Sequence, residues 1–173
     1  MTEMMLDIET LGTKPGCVVL SIGAVAFEKG TFNPVADMHV VVDQLHQRMM
    51  GLKEDPRTVE WWKSQQTEAW KSATQNPISV KDALKQLSLF YAKHNPRVTW
   101  TQGNNFDPPI LEHVYDMMKI APPWKFWAVR DTRTFYDVHN FDTRNVAREN
   151  TYHNARDDCL HQIECMRAAS KGS

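Results

Sequence analysis

The sequence predicts an α/β fold: a mixed five-stranded sheet, made of a three-strand meander plus two further strands, flanked by helices. Three apolar runs joined by short turns open the chain, between residues 4 and 42. Two shorter strand-like runs come later, each set between stretches of helical period. At 173 residues the chain is long enough for one domain with a sizeable core. We assign residues 1–170 to that domain and residues 171–173 to a frayed tail.

The first run, Met4-Met5-Leu6-Asp7-Ile8-Glu9, reads as a short strand that ends in turn residues from Gly12 to Gly16. Side chains alternate faces along a strand, so Met5, Asp7 and Glu9 share one face while Leu6 and Ile8 take the other. Cys17 to Phe27 is almost uninterruptedly apolar, as suits a strand covered on both faces. Lys29-Gly30 turns the chain into a third strand over Met38 to Val42, antiparallel to the second. Asp55-Pro56-Arg57 then starts a helix with proline in first position, followed by Val59, Trp61, Trp62, Gln65 and Trp70. Ser79 caps a helix that runs to about Lys93, with Val80, Ala83, Leu84, Leu87 and Phe90-Tyr91 on one stripe. Val98 to Thr101 is the fourth strand, and Asp107-Pro108-Pro109 opens a helix that runs to about Lys119. Trp127 to Arg130 is the fifth strand, Thr132 to Val138 a short helix, and Tyr152 to Ala169 the last helix.

Charge and cysteine usage narrow the function classes. A net charge of −1 argues against a non-catalytic binder that lives on phosphate contacts. It leaves room for an enzyme that grips phosphates through bound metal ions. Cys17, Cys159 and Cys165 are odd in number and unpatterned, which argues against a disulfide framework or a zinc site and for a reducing, cytoplasmic setting. Acidic Glu3 stands before a short apolar strand, so no signal peptide is expected. No run approaches membrane-spanning length, and no membrane partner is expected.

Asp7 and Glu9, two residues apart on one strand face, repel each other unless a cation lies between them. A divalent metal is the economical choice, because hard cations prefer carboxylate oxygens; a solvated rim is the plain alternative. Asp107 stands before two prolines and is a good helix cap. It also stands where a strand passes into a helix, the place where α/β proteins put functional groups. In the last helix Ala155, Cys159, Ile163 and Met166 form the inward stripe, with Asp158 on its border and Asp157 nearly opposite, facing solvent. His153 converges with Asp158 only from the loop or first turn before that helix. Arg130 and Arg133 suit either phosphate contacts or ion pairs with neighbouring carboxylates. Trp61, Trp62 and Trp70 suit base stacking or the core, and the core takes at least one of the adjacent pair.

The ordered set Asp7, Glu9, Asp107, His153 and Asp158 resembles the DEDD superfamily of 3′–5′ exonucleases, in its subgroup with an H-x-x-x-x-D third motif. Ribonuclease T, oligoribonuclease and the proofreading subunit of DNA polymerase III belong to that subgroup. D-I-E-T-L-G matches the first motif, N-N-F-D the second and H-N-A-R-D-D the third, across nearly the whole chain. T-V-E-W-W-K-S-Q and R-D-T-R-T-F further resemble a branch of short bacterial and bacteriophage, exoribonuclease-like enzymes. The resemblance implies a ribonuclease H-like fold and a single-stranded RNA or DNA 3′ end as substrate. It also implies two divalent ions, Mg2+ or Mn2+, about 4 Å apart. It implies that Asp7 bridges both ions, Glu9 and Asp158 complete the first, Asp107 holds the second, and His153 is the general base. By the same analogy Thr10 and Leu11 contact the terminal nucleotide, and several relatives form homodimers.

Two other classes compete. D-x-E-T faintly resembles the D-x-D-x-T of haloacid-dehalogenase-type phosphatases, but its second acid is wrong and its threonine stands one place early. A catalytically inactive nucleic-acid-binding or assembly module on the same fold is the other. Against it, five intact polar residues held together without metal are costly.

Overall fold

The computed structural model describes residues 1–148 and 150–172. The sheet is five-stranded: β1 (Thr2–Thr10), β2 (Val19–Glu28), β3 (Pro34–Val41), β4 (Thr99–Thr101) and β5 (Val129–Asp131), in the order β3-β2-β1-β4-β5. The meander pairs antiparallel, β1 with β2 and β2 with β3, whereas β4 joins β1 in parallel and β5 joins β4 in parallel. β1 therefore lies at the centre, and its C-terminal end opens where the parallel half of the sheet stops.

Strand alternation splits the core into two layers. Met4, Leu6 and Ile8 face a large cluster with Ile22, Ala24 and Ala26 of β2. That side is covered by α2 (Pro56–Lys63), α3 (Thr67–Thr74), α4 (Val80–His94) and α5 (Asp107–Met117), through Trp62, Ala73, Leu87 and Leu111 among others. Met5, Val25 and Phe27 face the other side, covered by α6 (Thr132–Val138) and α7 (Ala155–Lys171) through Tyr136, Cys159, Ile163 and Met166. Asp7 and Glu9 thus share the face that α7 covers.

The predicted element order holds, with five departures. β5 begins at Val129 rather than Trp127, because Trp127 lies in a single 3-10 turn, Phe126–Ala128. β3 begins at Pro34 rather than near Met38, because its first half, Pro34 to Asp37, is an exposed edge stretch that opens on a proline and buries no apolar face. α1 (Gln44–Met49) and α3 were not separately predicted. α1 is only six residues long and buries Gln47 rather than its apolar Leu45 and Met49, and α3 follows a break at Ser64–Gln66 inside what reads as one helix. α7 starts at Ala155, not Tyr152, because Asn154 caps it by accepting the Asp157 N–H, and His153 is left-handed at φ 58°. The proposed tail begins inside α7 at Lys171, and Ser173 lies outside the described residues.

Gly23 lets α7 sit where it does. It pairs with Asp7 across β1 and β2, and a Cβ there would lie 2.2 Å from the Ala155 carbonyl carbon. Only a residue without a side chain admits the first turn of α7 so close to the sheet.

Candidate active site

Three chain segments meet at the C-terminal end of β1. Its alternation points Asp7 and Glu9 at α7, and the first turn of α7 carries Asp158 to meet them. Carboxylate oxygens of Asp7, Glu9 and Asp158 all lie within 4.8 Å of one another. Gln162, one turn beyond Asp158, donates from Nε2 to Asp7 Oδ1 at 2.9 Å. Its Oε1 is buried with no protein partner.

Asp107 arrives from the opposite side. β1 and β4 pair only at Met4 and Met5, so the ladder ends before the N–H of Ile8 finds a strand partner. Asp107 Oδ1 accepts that N–H at 3.1 Å. The helix-cap reading of Asp107 is thereby corrected: the residue opens α5, Phe106 holds the cap position, and the carboxylate reaches across to β1. Asp107 is not within the close group of three, though its charge acts on Asp7.

The electrostatics follow from crowding acids in a dry place. Burial raises Asp7 well above the ordinary carboxylate range, and the charges of Asp107, Asp158 and Glu9 add to it. Glu9 is pushed up to about 9, by burial first and then by Asp158, with which its carboxyl shares a hydrogen bond. Burial pushes Asp107 up to about 7, against the opposing Ile8 N–H. Arg148 is the one cation ion-paired with these acids among the described residues, with Nη2 2.6 Å from Asp158 Oδ1. Its guanidinium also donates to Thr151 O at 2.7 Å and lies 4.3 Å from the centre of the Tyr152 ring.

His153 stands in the loop before α7, edge-on to the Trp61 ring at 4.7 Å, and feels the charge of Asp158. Burial, aided by Arg148, lowers its pKa, so the imidazole is neutral near pH 7. Asp157 is not solvent-facing as its helix phase suggested. Its side chain is 17% exposed and takes the Thr151 N–H at 3.3 Å and an Arg156 N–H at 3.4 Å. It still points away from the close group, which contains Asp158 alone of the adjacent pair.

A cavity of about 510 Å³ opens beside Glu9, lined by Thr10, Thr13, Asp55, Trp61 and Phe106 among others. Thr10 Oγ1 donates to Gly12 O at 2.6 Å, and the Thr10 carbonyl accepts Trp62 Nε1 at 2.9 Å. The tryptophan pair is therefore divided: Trp62 is core and Trp61 is 42% exposed at the cavity. Leu11 is buried in the core behind Thr10 and does not line the cavity.

Residues 2–170 match the model of the 3′-5′ exoribonuclease Rv2179c-like domain. The chain belongs to this family. Exonuclease of the 3′–5′ type is the enzyme class of an Rv2179c-like domain, and hence of this chain. The exodeoxyribonuclease of Enterobacteria phage T4 is 27% identical over an alignment of 165 residues that covers 78% of this chain and 70% of the phage protein. Among solved structures, exonuclease I superposes with a TM-score of 0.74 at 12% identity, covering 98% of this chain but 41% of that one. The nuclease domain of 3′hExo, a DEDDh family member bound to rAMP, superposes with a TM-score of 0.68 at 9% identity, covering 98% and 92%. These likenesses bear out the ribonuclease H-like sheet. No helix among the described residues is long and apolar enough to cross a membrane.

The donor chemistry of this Rv2179c-like site fits a divalent metal: all close ligand atoms are carboxylate oxygens, and the acids outnumber the one paired cation. Sequence reasoning did not find Arg148, Gln162 or Gly23. Gln162 stands four residues after Asp158 on one helix face, and Gly23 interrupts an apolar strand, so both carried a signal. Arg148 lies in a loop and carried none.

Proposed function

We propose that this chain removes nucleoside 5′-monophosphates one at a time from the 3′ end of single-stranded RNA or DNA, using two divalent ions, Mg2+ or Mn2+. The observation that carries the reading is the convergence of Asp7, Glu9 and Asp158 within 4.8 Å, beside an open cavity, with Asp107 and His153 flanking them. Bound metal supplies polarisation of the phosphodiester, an activated water and charge compensation at the leaving 3′-oxygen. Asp7 would serve both ions: its carboxylate sits with those of Glu9 and Asp158 in the close group and also feels the charge of Asp107. Glu9 and Asp158 would complete the ligands of one ion and Asp107 would help hold the other. A ring nitrogen of His153, held neutral by burial, accepts the proton of the attacking water. Gln162 holds Asp7 in orientation through its one hydrogen bond. The terminal nucleotide occupies the cavity, its base against Trp61 and Phe106 and its sugar near Thr10, with Leu11 backing that wall.

The test uses 5′-labelled single strands of RNA and DNA of equal sequence, with Mg2+, Mn2+ or chelator. Stepwise 3′ shortening that requires metal and disappears in Asp7→Ala is the expected outcome. His153→Ala slows cleavage by about 10²–10⁴-fold while divalent binding persists. Strand binding without shortening in either metal would refute the reading and assign the chain as an inactive binding module.

A further inference from the structure

The outer edge of the sheet carries cations that the reaction does not use. β5 is the edge strand, and Arg130 on it is exposed. The segment leading into β5 exposes Phe126 and Trp127 by 83% and 61%, with their rings 4.8 Å apart. Lys125 Nζ lies 5.3 Å from the Trp127 ring centre. Lys125, Trp127 and Arg130 line a cavity of about 900 Å³, and exposed Arg97 lines it from the turn before β4. Among the described residues no carboxylate lines this cavity, and none of Arg97, Lys125 or Arg130 is ion-paired. Arg130 Nη1 donates only to its neighbours' carbonyls, those of Trp127 and Val129, both at 2.8 Å.

In a chain of net charge −1, a cavity whose charged side chains are all cations, beside exposed aromatic rings, suits an anionic, planar-faced partner. The edge also connects to the acid site. β5 pairs with β4, which leads through Gly103 to Asp107, and β5 lies two strand spacings, about 10 Å, sideways from β1. Arg97 and Lys125 stand before the starts of these parallel strands and the acids at the C-terminal end of β1, so a nucleic-acid strand joining the two runs along the sheet edge. Exposed Arg133, just after β5, packs on Gly103 at φ +119°, where a Cβ would meet its Nη1 at 2.8 Å. Asp131, between the two arginines, is engaged by backbone donors, the N–H groups of Asn104 at 3.0 Å and Arg133 at 2.8 Å. It forms no ion pair with either arginine side chain.

We propose that this basic, aromatic edge binds the upstream part of the single strand whose 3′ end lies at the acid cluster, with phosphates on Arg130, Lys125 and Arg97 and bases against Trp127 and Phe126. The proposal rests on the exonuclease reading for the position of the 3′ end. It makes the edge a determinant of substrate length, since a dinucleotide fills the acid site without reaching β5.

The experiment compares kcat/KM on a dinucleotide and on a single strand of about 12 nucleotides, within the range that single-strand grooves occupy. Wild type is set against the Lys125→Ala/Trp127→Ala/Arg130→Ala variant, and strand binding is followed by fluorescence anisotropy. The variant is expected to lose about tenfold or more on the long strand, the worth of one base stack, and nothing on the dinucleotide. The dependence of log Kd on log salt should flatten by about 1.4, for two lost phosphate contacts. Equal loss on both substrates, or no loss on either, overturns the proposal. If wild type cleaves neither substrate, the exonuclease reading fails, and the anisotropy alone decides the edge. A variant that changes sedimentation but not strand binding assigns the patch to a second copy of the chain and overturns it as well.

Discussion

Arg148 is the residue whose charge the acid cluster depends on most directly. Its pair with Asp158 is nearly dry, with the two side chains 10% and 15% exposed, so each holds the other strongly. A divalent ion that takes Asp158 as ligand competes with that guanidinium. Arg148→Met keeps the apolar stem and removes the charge. It is expected to bind Mn2+ about tenfold more tightly, equivalent to ~1.4 kcal/mol, in titration calorimetry without nucleic acid. Unchanged or weaker binding would show that Arg148 supports the metal instead of opposing it. Individual residues were legible where a period applied. Strand alternation put Asp7 with Glu9, and helix phase chose Asp158 over Asp157 for the close group. Asp157 was misjudged as solvent-facing because Thr151, before α7, donates its N–H to it, and loops have no period to read.

At the scale of elements, the approach of α7 to β2 sets the site. A methyl group at Gly23 would press on the Ala155 carbonyl, at 2.2 Å from carbon and 2.4 Å from oxygen. Gly23→Ala is expected to lift the first turn of α7 and lower stability by about 1–3 kcal/mol. Displacing Asp158 and His153 by about 1 Å should cost roughly 100-fold in kcat, measured well below the variant's melting temperature. A melting temperature that falls with kcat intact would show that the helix start carries no positioning role. The element order was legible because apolar runs, prolines and caps agree with one another, as at Asp55-Pro56 and Ser79. The beginning of α7 was not, because Tyr152-His153 continue a helix-compatible sequence until the left-handed turn at His153 interrupts it. Asp107 shows a similar limit: its local sequence specifies a cap, and the missing strand partner of Ile8 claims it instead.

For the whole molecule, the crowded acids link stability to pH. With Glu9 pushed up to about 9 and Asp107 to about 7, and Asp7 raised as well, the folded metal-free protein keeps protons that the unfolded chain has already released. The unfolded state binds fewer protons over that window, so stability falls as pH rises from about 5 to about 9. Thermal melts in chelator should fall by several degrees across this range, and Mg2+ should flatten the slope by replacing protons as the compensating charge. A chelated protein that grows more stable with rising pH would contradict this balance. The fold also has a consequence in time. Asp7 and Glu9 lie on the first strand, Asp107 on the fifth helix, and Asp158 on the seventh, so the acids are synthesised far apart and meet last. During translation β1 emerges on the order of ten seconds before α7, and until that helix docks there is no cluster to load. A growing chain on a ribosome is thus unarmed, and its acids converge only when α7 docks on the sheet.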